Sequence, residues 1–246
     1  GHTFTAGESP TANRPWLVTD GTGAPMTGFV SIEANRLAPV DEAYTCGVRR
    51  IGTYDWDTAS WTGTTDPRYA DHEIWCWGYG AGGRLGNDAS SSSTVPVRVQ
   101  TGDGPLVVSS STAPTISIGR SHACAAGRCW GTGVLAVNHP DLTDDPGLAA
   151  TDVALQVSSI TSISVGAAHL CGLIAPGATR CYGATDALGM VPGAPLAQVY
   201  GSATFSSGSF RNASPVTDVD AVTTGRAHSC LLRTDGTVRC WGDNSQ

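Results

Sequence analysis

The chain has 246 residues, of which 40% are hydrophobic and only 14% charged, and it contains 31 Gly and 14 Pro. Average proteins carry roughly 25% charged residues and about 7% Gly, so this composition excludes a coiled coil or long helical array while leaving enough apolar material for a core. The formal charge is −7 and every basic residue is Arg, with no run longer than Arg49-Arg50; without a concentrated basic face, no nucleic-acid partner is expected.

No apolar run reaches the roughly 18 residues that would read as a membrane span. The chain starts at Gly1 without an initiator Met, signal peptide or pro-region, so a mature product or an excised segment is expected. In chain order, Gly1-His2-Thr-Phe4-Thr-Ala-Gly7 and Pro15-Trp-Leu-Val18 come first. A segment from Ala43-Tyr44-Thr-Cys46 to Cys76-Trp77-Gly78 follows, interrupted by an insertion at 48–73 and continued by Tyr-Gly-Ala-Gly-Gly-Arg-Leu85-Gly86. Next are Ile116-Ser-Ile-Gly-Arg-Ser-His122-Ala-Cys124 leading to Cys129-Trp130-Gly131, and Ile163-Ser-Val-Gly-Ala-Ala-His169-Leu-Cys171 leading to Cys181-Tyr182-Gly183. The last is Val222-Thr-Thr-Gly-Arg-Ala-His228-Ser-Cys230 leading to Cys240-Trp241-Gly242. The aromatic-Gly pairs therefore recur at 77, 130, 182 and 241. A period of about 50 residues or more carrying short β-type runs points to propeller blades rather than solenoid coils.

Each copy reads as a four-stranded antiparallel unit: a short apolar strand such as Ile116-Ser-Ile118, a Gly turn, a hairpin closed by Cys, and an outer stretch such as Pro96-Val-Arg-Val99. No segment sustains a helical period, so the chain is expected to be all-β, a propeller or open propeller arc of about four blades. The expected blades are 19–98, 99–154, 155–213 and 214–246, the last completed by 1–18 of the same or a neighbouring chain.

Hairpin geometry selects a pairing for the eight cysteines. A three-residue loop Thr234-Asp235-Gly236, with Gly in the left-handed position, pairs Leu232 with Val238 and sets Cys230 opposite Cys240. The same construction on Ala175-Pro176-Gly177 sets Cys171 opposite Cys181, a tighter turn at Ala126-Gly127 sets Cys124 opposite Cys129, and Cys46 pairs with Cys76 across the insertion. Reduced thiols and zinc are the competing readings, but zinc ligand pairs are usually two to four residues apart with partner pairs converging, unlike the nine-residue gaps of Cys171–Cys181 and Cys230–Cys240. Four bridges imply an oxidising, extracellular or periplasmic, compartment.

Together, Gly-x-x-His-x-Cys, the hairpin, Cys-Trp-Gly, Gly-x-Leu-Gly and a later Pro-x-x-Val resemble the repeat of the regulator of chromosome condensation family, and the cystine-bearing form resembles bacterial secreted members. The resemblance covers about 36–246 and implies a β-propeller. Tyr44 and Asp41 depart from the expected His and Gly, and Tyr182 from Trp. Such propellers usually have seven blades against about four here, and Trp241-Gly-Asp-Asn-Ser-Gln246 stops where Gly1–Gly7 and Pro15-Trp-Leu-Val18 would continue the pattern, so the expectation is closure of a ring by both termini, completion of a neighbouring subunit's blade, or excision from a longer array.

Residues repeated in every blade should serve the blade. His122, His169 and His228 are read as structural hydrogen-bonding groups, and Trp77, Trp130, Tyr182 and Trp241 as packing aromatics. Function is expected where blades differ. The 49–74 loop carries Tyr54, Trp56, Trp61 and Tyr69, aromatics suited to a protein interface or sugar stacking, or to covering a blade edge. Asp141, Asp144 and Asp145 offer oxygens for calcium but lack the spacing of a calcium loop, so a solvated turn and no metal are expected. Asn212-Ala-Ser214 is a formal glycosylation sequon. There is no Gly-x-Ser-x-Gly, no phosphate loop with Lys and no His-Glu-x-x-His. The expectation is a non-enzymatic, cofactor-free structural or protein-binding module, contacting a protein or further copies of itself, with a secreted inhibitor or ligand-binding propeller as the alternative.

Overall fold

The computed structural model describes residues 17–51, 54–55, 60–61, 70–110, 113–132, 151–152, 160–167, 169–174, 177–183, 204–206, 209–211 and 218–242. Antiparallel sheets account for the regular structure, and the two helical turns among the described residues, Val40–Glu42 and Ala81–Gly83, are 3-10.

The first blade contains β1 (Phe29–Ala34), β2 (Tyr44–Ile51), the short pair β3 (Tyr54–Asp55) and β4 (Ser60–Trp61), β5 (Ala70–Gly78) and β6 (Ser93–Arg98). A short β7 (Gln100–Thr101) and β8 (Gly104–Pro105) form a ribbon that leads to β9 (Val107–Ser110). Its sheet runs β1-β2-β5-β6, and β9 pairs with the first half of β5. The sheet thus has five strands and reaches Ser110, beyond residue 98. The ends of the insertion also belong to it: β2 and β5 pair without a break from Tyr44 opposite Gly78 to Ile51 opposite Asp71.

The second blade contains β10 (Ile116–Ile118), β11 (His122–Ala125), β12 (Arg128–Gly131) and β13 (Thr151–Asp152). In the third, β14 (Ile160–Val165), β15 (His169–Ile174) and β16 (Ala178–Gly183) pair in order, followed by a separate hairpin of β17 (Thr204–Ser206) and β18 (Ser209–Arg211). The fourth is β19 (Val219–Thr224), β20 (His228–Arg233) and β21 (Val238–Gly242). The innermost strands pack consecutively, β1 on β10, β10 on β14 and β14 on β19, which makes the molecule a propeller arc.

Turn chemistry explains the registers. Ala126 and Gly127 both have positive φ, 53° and 77°, as a two-residue hairpin loop that matches strand twist requires. Gly236, at φ 80°, closes the three-residue loop, where Leu232 pairs with Val238 and the Arg233 N–H donates to the Thr237 carbonyl at 2.9 Å. Cys46, Cys124, Cys171 and Cys230 consequently stand directly opposite Cys76, Cys129, Cys181 and Cys240, and all four disulfides are formed.

The Gly-x-x-His element is a turn in which the Gly N–H donates to the His carbonyl, at 2.8 Å in Gly119–His122, 2.7 Å in Gly166–His169 and 2.8 Å in Gly225–His228. The ring folds back over the glycine: a Cβ on Gly166 would lie 2.3 Å from the His169 ring, and one on Gly225 2.4 Å from that of His228. In the first blade Asn35, and not Asp41 as the residue spacing suggested, stands in the glycine's place: its N–H donates to the Tyr44 carbonyl at 2.9 Å, and the longer turn between them includes the 3-10 segment Val40–Glu42. The main core lies between blades one and two, where Tyr44, Val48, Ile74, Leu85 and the Cys46–Cys76 bridge meet Ile116, Ile118, Ala123 and Trp130. A second cluster joins blades three and four through Cys171, Cys181, Val222, Leu173 and Trp241.

Candidate functional site

Because side chains alternate across a strand, each blade has a leading face toward the next blade and a trailing face toward the previous one. The leading face carries the residue at the His position and the cystine. The trailing face carries the aromatic before Gly and one apolar residue of the innermost strand. That apolar residue is Ile116, Ile163 or Val222 in blades two to four, 7%, 6% and 9% exposed against the preceding blade.

A repeated polar rung links the innermost strands. The Val165 N–H donates to Ser117 Oγ at 3.0 Å, and the Thr224 N–H donates to Ser164 Oγ at 2.9 Å. At the first joint Glu33 takes the place of the serine and accepts from the Ile118 N–H; its burial pushes its pKa up, against the pull of that hydrogen bond and of Arg36. The His position supplies a second link. Tyr44 donates its hydroxyl to the His122 carbonyl at 2.9 Å, and His169 Nε2 lies 3.0 Å from Ser229 Oγ of the fourth blade. His122 is fully buried, beside the backbone of His169 in the next blade. Burial, reinforced by nearby His169, pushes its pKa down to about 4 and keeps the ring neutral near pH 7. The aromatic supplies a third link: Trp130 Nε1 donates to the Arg84 carbonyl at 3.1 Å, and a Cβ on Gly86 would sit 2.7 Å from its indole, which explains Gly-x-Leu-Gly as a cradle for the next blade's Trp.

The first blade has no preceding blade among the described residues, and its trailing face is an aromatic wall. Phe29 meets Trp77 edge to face at 5.9 Å. Trp75 is flanked by the Arg98 and Arg49 guanidiniums, 5.0 and 5.8 Å from its ring centroid, and donates its Nε1 proton to Glu73 Oε2 at 2.9 Å. Glu73 also pairs with Arg98 at 3.3 Å. Ile32, on the same face, is 63% exposed. At the other end of the arc, the leading face of blade four leaves His228, Thr223 and Cys240 exposed, together with Leu232 at 39% and Val238 at 64%.

Residues 71–126 and 219–246 match the model of the regulator of chromosome condensation (RCC1) repeat. The chain carries RCC1 repeats. Among curated proteins, no sequence matches the chain. Solved structures similar to it include human WBSCR16, at 14% identity over 84% of this chain and 58% of that one, with a TM-score of 0.49. Yeast RCC1 (Prp20), solved bound to Kap60, is 18% identical over 82% of this chain and 52% of its own, TM-score 0.49. The receptor kinase CR4 ectodomain of Physcomitrella patens is 15% identical over 86% and 53%, TM-score 0.40. The chain spans a little over half the length of these three.

Within this RCC1-repeat arc, Tyr54 and Trp61 lie opposite each other in the β3–β4 pair, beyond the end of the long β2–β5 ladder. Trp56, Tyr69, Asp141, Asp144, Asp145 and Asn212 lie outside the described residues, as do the side chain of Tyr182 and the end segments 1–16 and 243–246 on which completion of the last blade was expected. No group of three or more His, Cys, Asp or Glu is placed to hold a metal ion among the described residues, and no helix there is long and apolar enough to cross a membrane. Reading the residues alone missed the trailing wall of blade one, although the alternation Glu73, Trp75, Trp77 was its signal: three bulky residues on one face of a strand. It also treated the three histidines as equivalent, whereas two are buried at joints and His228 is exposed.

Proposed function

We propose that this RCC1-repeat arc is a non-enzymatic protein-interaction module that works in an oxidising extracellular setting, of the kind found in bacterial secreted members, and assembles head to tail through its two end blades. The observation that carries this reading is that the leading face of blade four keeps the His, cystine and apolar residues that are buried at joints elsewhere in the chain, yet leaves them exposed. An open cystine-bearing sheet face of that composition favours a protein partner, here other copies of the chain. The four bridges support an oxidising compartment, because thiols stay reduced in the cytoplasm. Native mass measurement and electron microscopy across a concentration series test the assembly: a ladder of integral multiples and regular arcs, rings or filaments are expected. A particle that stays monomeric at every concentration overturns it.

A second reading, a secreted inhibitor or ligand-binding propeller, is favoured by the β2–β5 ladder, which extends five residue pairs beyond Cys46–Cys76, together with the aromatics Tyr54, Trp56, Trp61 and Tyr69 that follow it in the sequence. Deleting 52–69 would abolish capture of such a partner while leaving self-assembly intact.

A further inference from the structure

We infer that the leading face of blade four receives the trailing face of blade one from a second copy, in the register that consecutive blades keep within the chain. This rests on the head-to-tail reading above and names its surfaces. The template is internal. Ile116, Ile163 and Val222 pair across to the residue three past the His position, Ala125, Gly172 and Leu231; Ile32 does the same with Gly47, three past Tyr44. Ile32 is therefore the fourth member of a set whose other members are each buried against a preceding blade, and it alone is open at 63%.

The polar links have free counterparts in matching positions. Thr223, opposite Cys230, stands where Ser117 and Ser164 stand opposite Cys124 and Cys171, and its exposed hydroxyl is placed to accept a next-blade N–H. On the second copy the donor in that register is the Ala34 N–H, one residue beyond Glu33, as Ile118 and Val165 are one residue beyond Ser117 and Ser164. His169 reaches Ser229, the residue after His228; its counterpart in blade one is Thr45, the residue after Tyr44, so His228 would reach the hydroxyl of Thr45 on the second copy. Trp241 packs on the Cys171–Cys181 bridge; Trp77 of the second copy, already braced by Phe29, would cover Cys230–Cys240. Leu232 sits four past His228, as Val48 sits four past Tyr44, and Val48 is fully buried at the first joint.

The contact is heterologous, since two different faces meet, so each joint leaves one free face of each kind and growth continues. The decisive experiment uses two single variants, Leu232→Arg on the leading face and Ile32→Arg on the trailing face. Both sites are exposed, and retention of the fold is checked by circular dichroism and by thermal unfolding. Sedimentation velocity over a concentration series should show the native chain growing through multiples and each variant remaining monomeric, its dissociation constant raised more than about a hundredfold by a guanidinium placed in an apolar joint. An equimolar mixture should form a dimer and stop, because only the Ile32→Arg leading face and the Leu232→Arg trailing face remain intact. If the native chain associates but the single variants associate equally well, or if their mixture stays monomeric, the face pairing is overturned and the head-to-tail reading survives. If the native chain does not associate at all, both fall.

Discussion

In blade three, His169, Cys171 and Cys181 are fully buried; in blade four, His228 and Cys240 are exposed and Cys230 is half-buried, although the two blades share strand order, turn geometry and cystine register. The residues do not differ enough to explain this. The difference lies in what covers them: Val222, Ser229 and Trp241 of the following blade lie against the third blade's face. A blade is thus half of an interface on each side, and its apolar residues become core only when a neighbour arrives. This quasi-one-dimensional arrangement leaves the unpartnered surface on the outer faces of the first and last described blades.

The contrast is sharpest in the chemistry of the bridges. Thiol–disulfide exchange needs a thiolate to reach sulfur, so a buried bridge reacts only after local opening, whereas an exposed one is attacked directly. The half-cystines of the other three bridges are at most 1% exposed. Under mild non-denaturing dithiothreitol, Cys230–Cys240 should be reduced first, at least roughly tenfold faster than any other bridge. Alkylation followed by peptide mapping reads the order. Reduction that begins at Cys124–Cys129 would mean that the second joint opens more readily than the static interface implies. The proposed joint between copies, if it forms, should slow reduction of the terminal bridge selectively, because it would hide that bridge.

Acid probes the interior of the arc. His122 is neutral in the folded chain, with its pKa pushed from 6.5 down to about 4 by burial and by neighbouring His169. Above pH 6.5 the ring is neutral in both folded and unfolded chains and adds no pH dependence. As the pH falls from 6.5 toward 4, the unfolded chain takes up a proton that the folded one refuses, so stability falls, by on the order of 3 kcal/mol from this group. Chemical unfolding at several pH values should show that slope in the native protein and a shallower one in His122→Gln. Equal slopes would remove His122 as the source.

Much of this architecture was legible in the residues because it depends on local rules. A turn of known length between two cysteines sets which one faces which, and period-2 alternation does the rest, so the registers of Cys171–Cys181 and Cys230–Cys240 follow from Gly177 and Gly236. The long ladder into the insertion was not legible. Val48-Arg49-Arg50-Ile51 looks like loop chemistry, but Arg49 is held by Glu73 and the Trp75 ring across the sheet, and β9 arrives from more than thirty residues further along the chain to pair with β5. Nor does a repeated His announce whether it will be buried: that depends on the next blade, a contact about sixty residues away for His169 and Ser229.

The finest test of the comparison uses one hydroxyl at equivalent positions. Ser117 Oγ satisfies the Val165 N–H inside the joint between blades two and three, where Ser117 is 6% exposed and Val165 4%. Ser117→Ala leaves that buried N–H unpaired, and a buried donor without an acceptor costs about 1–3 kcal/mol. Thr223 occupies the same ladder position in blade four but is exposed, so Thr223→Ala should change the unfolding free energy of the monomer by less than about 0.5 kcal/mol. If the proposed joint between copies forms, the ranking should narrow as concentration rises, because the Thr223 hydroxyl would then have an N–H to accept from. Equal losses in the dilute monomer would show that Thr223 is already satisfied within its own blade, and the equivalence between the outer face and the internal joints would fail at its most specific point.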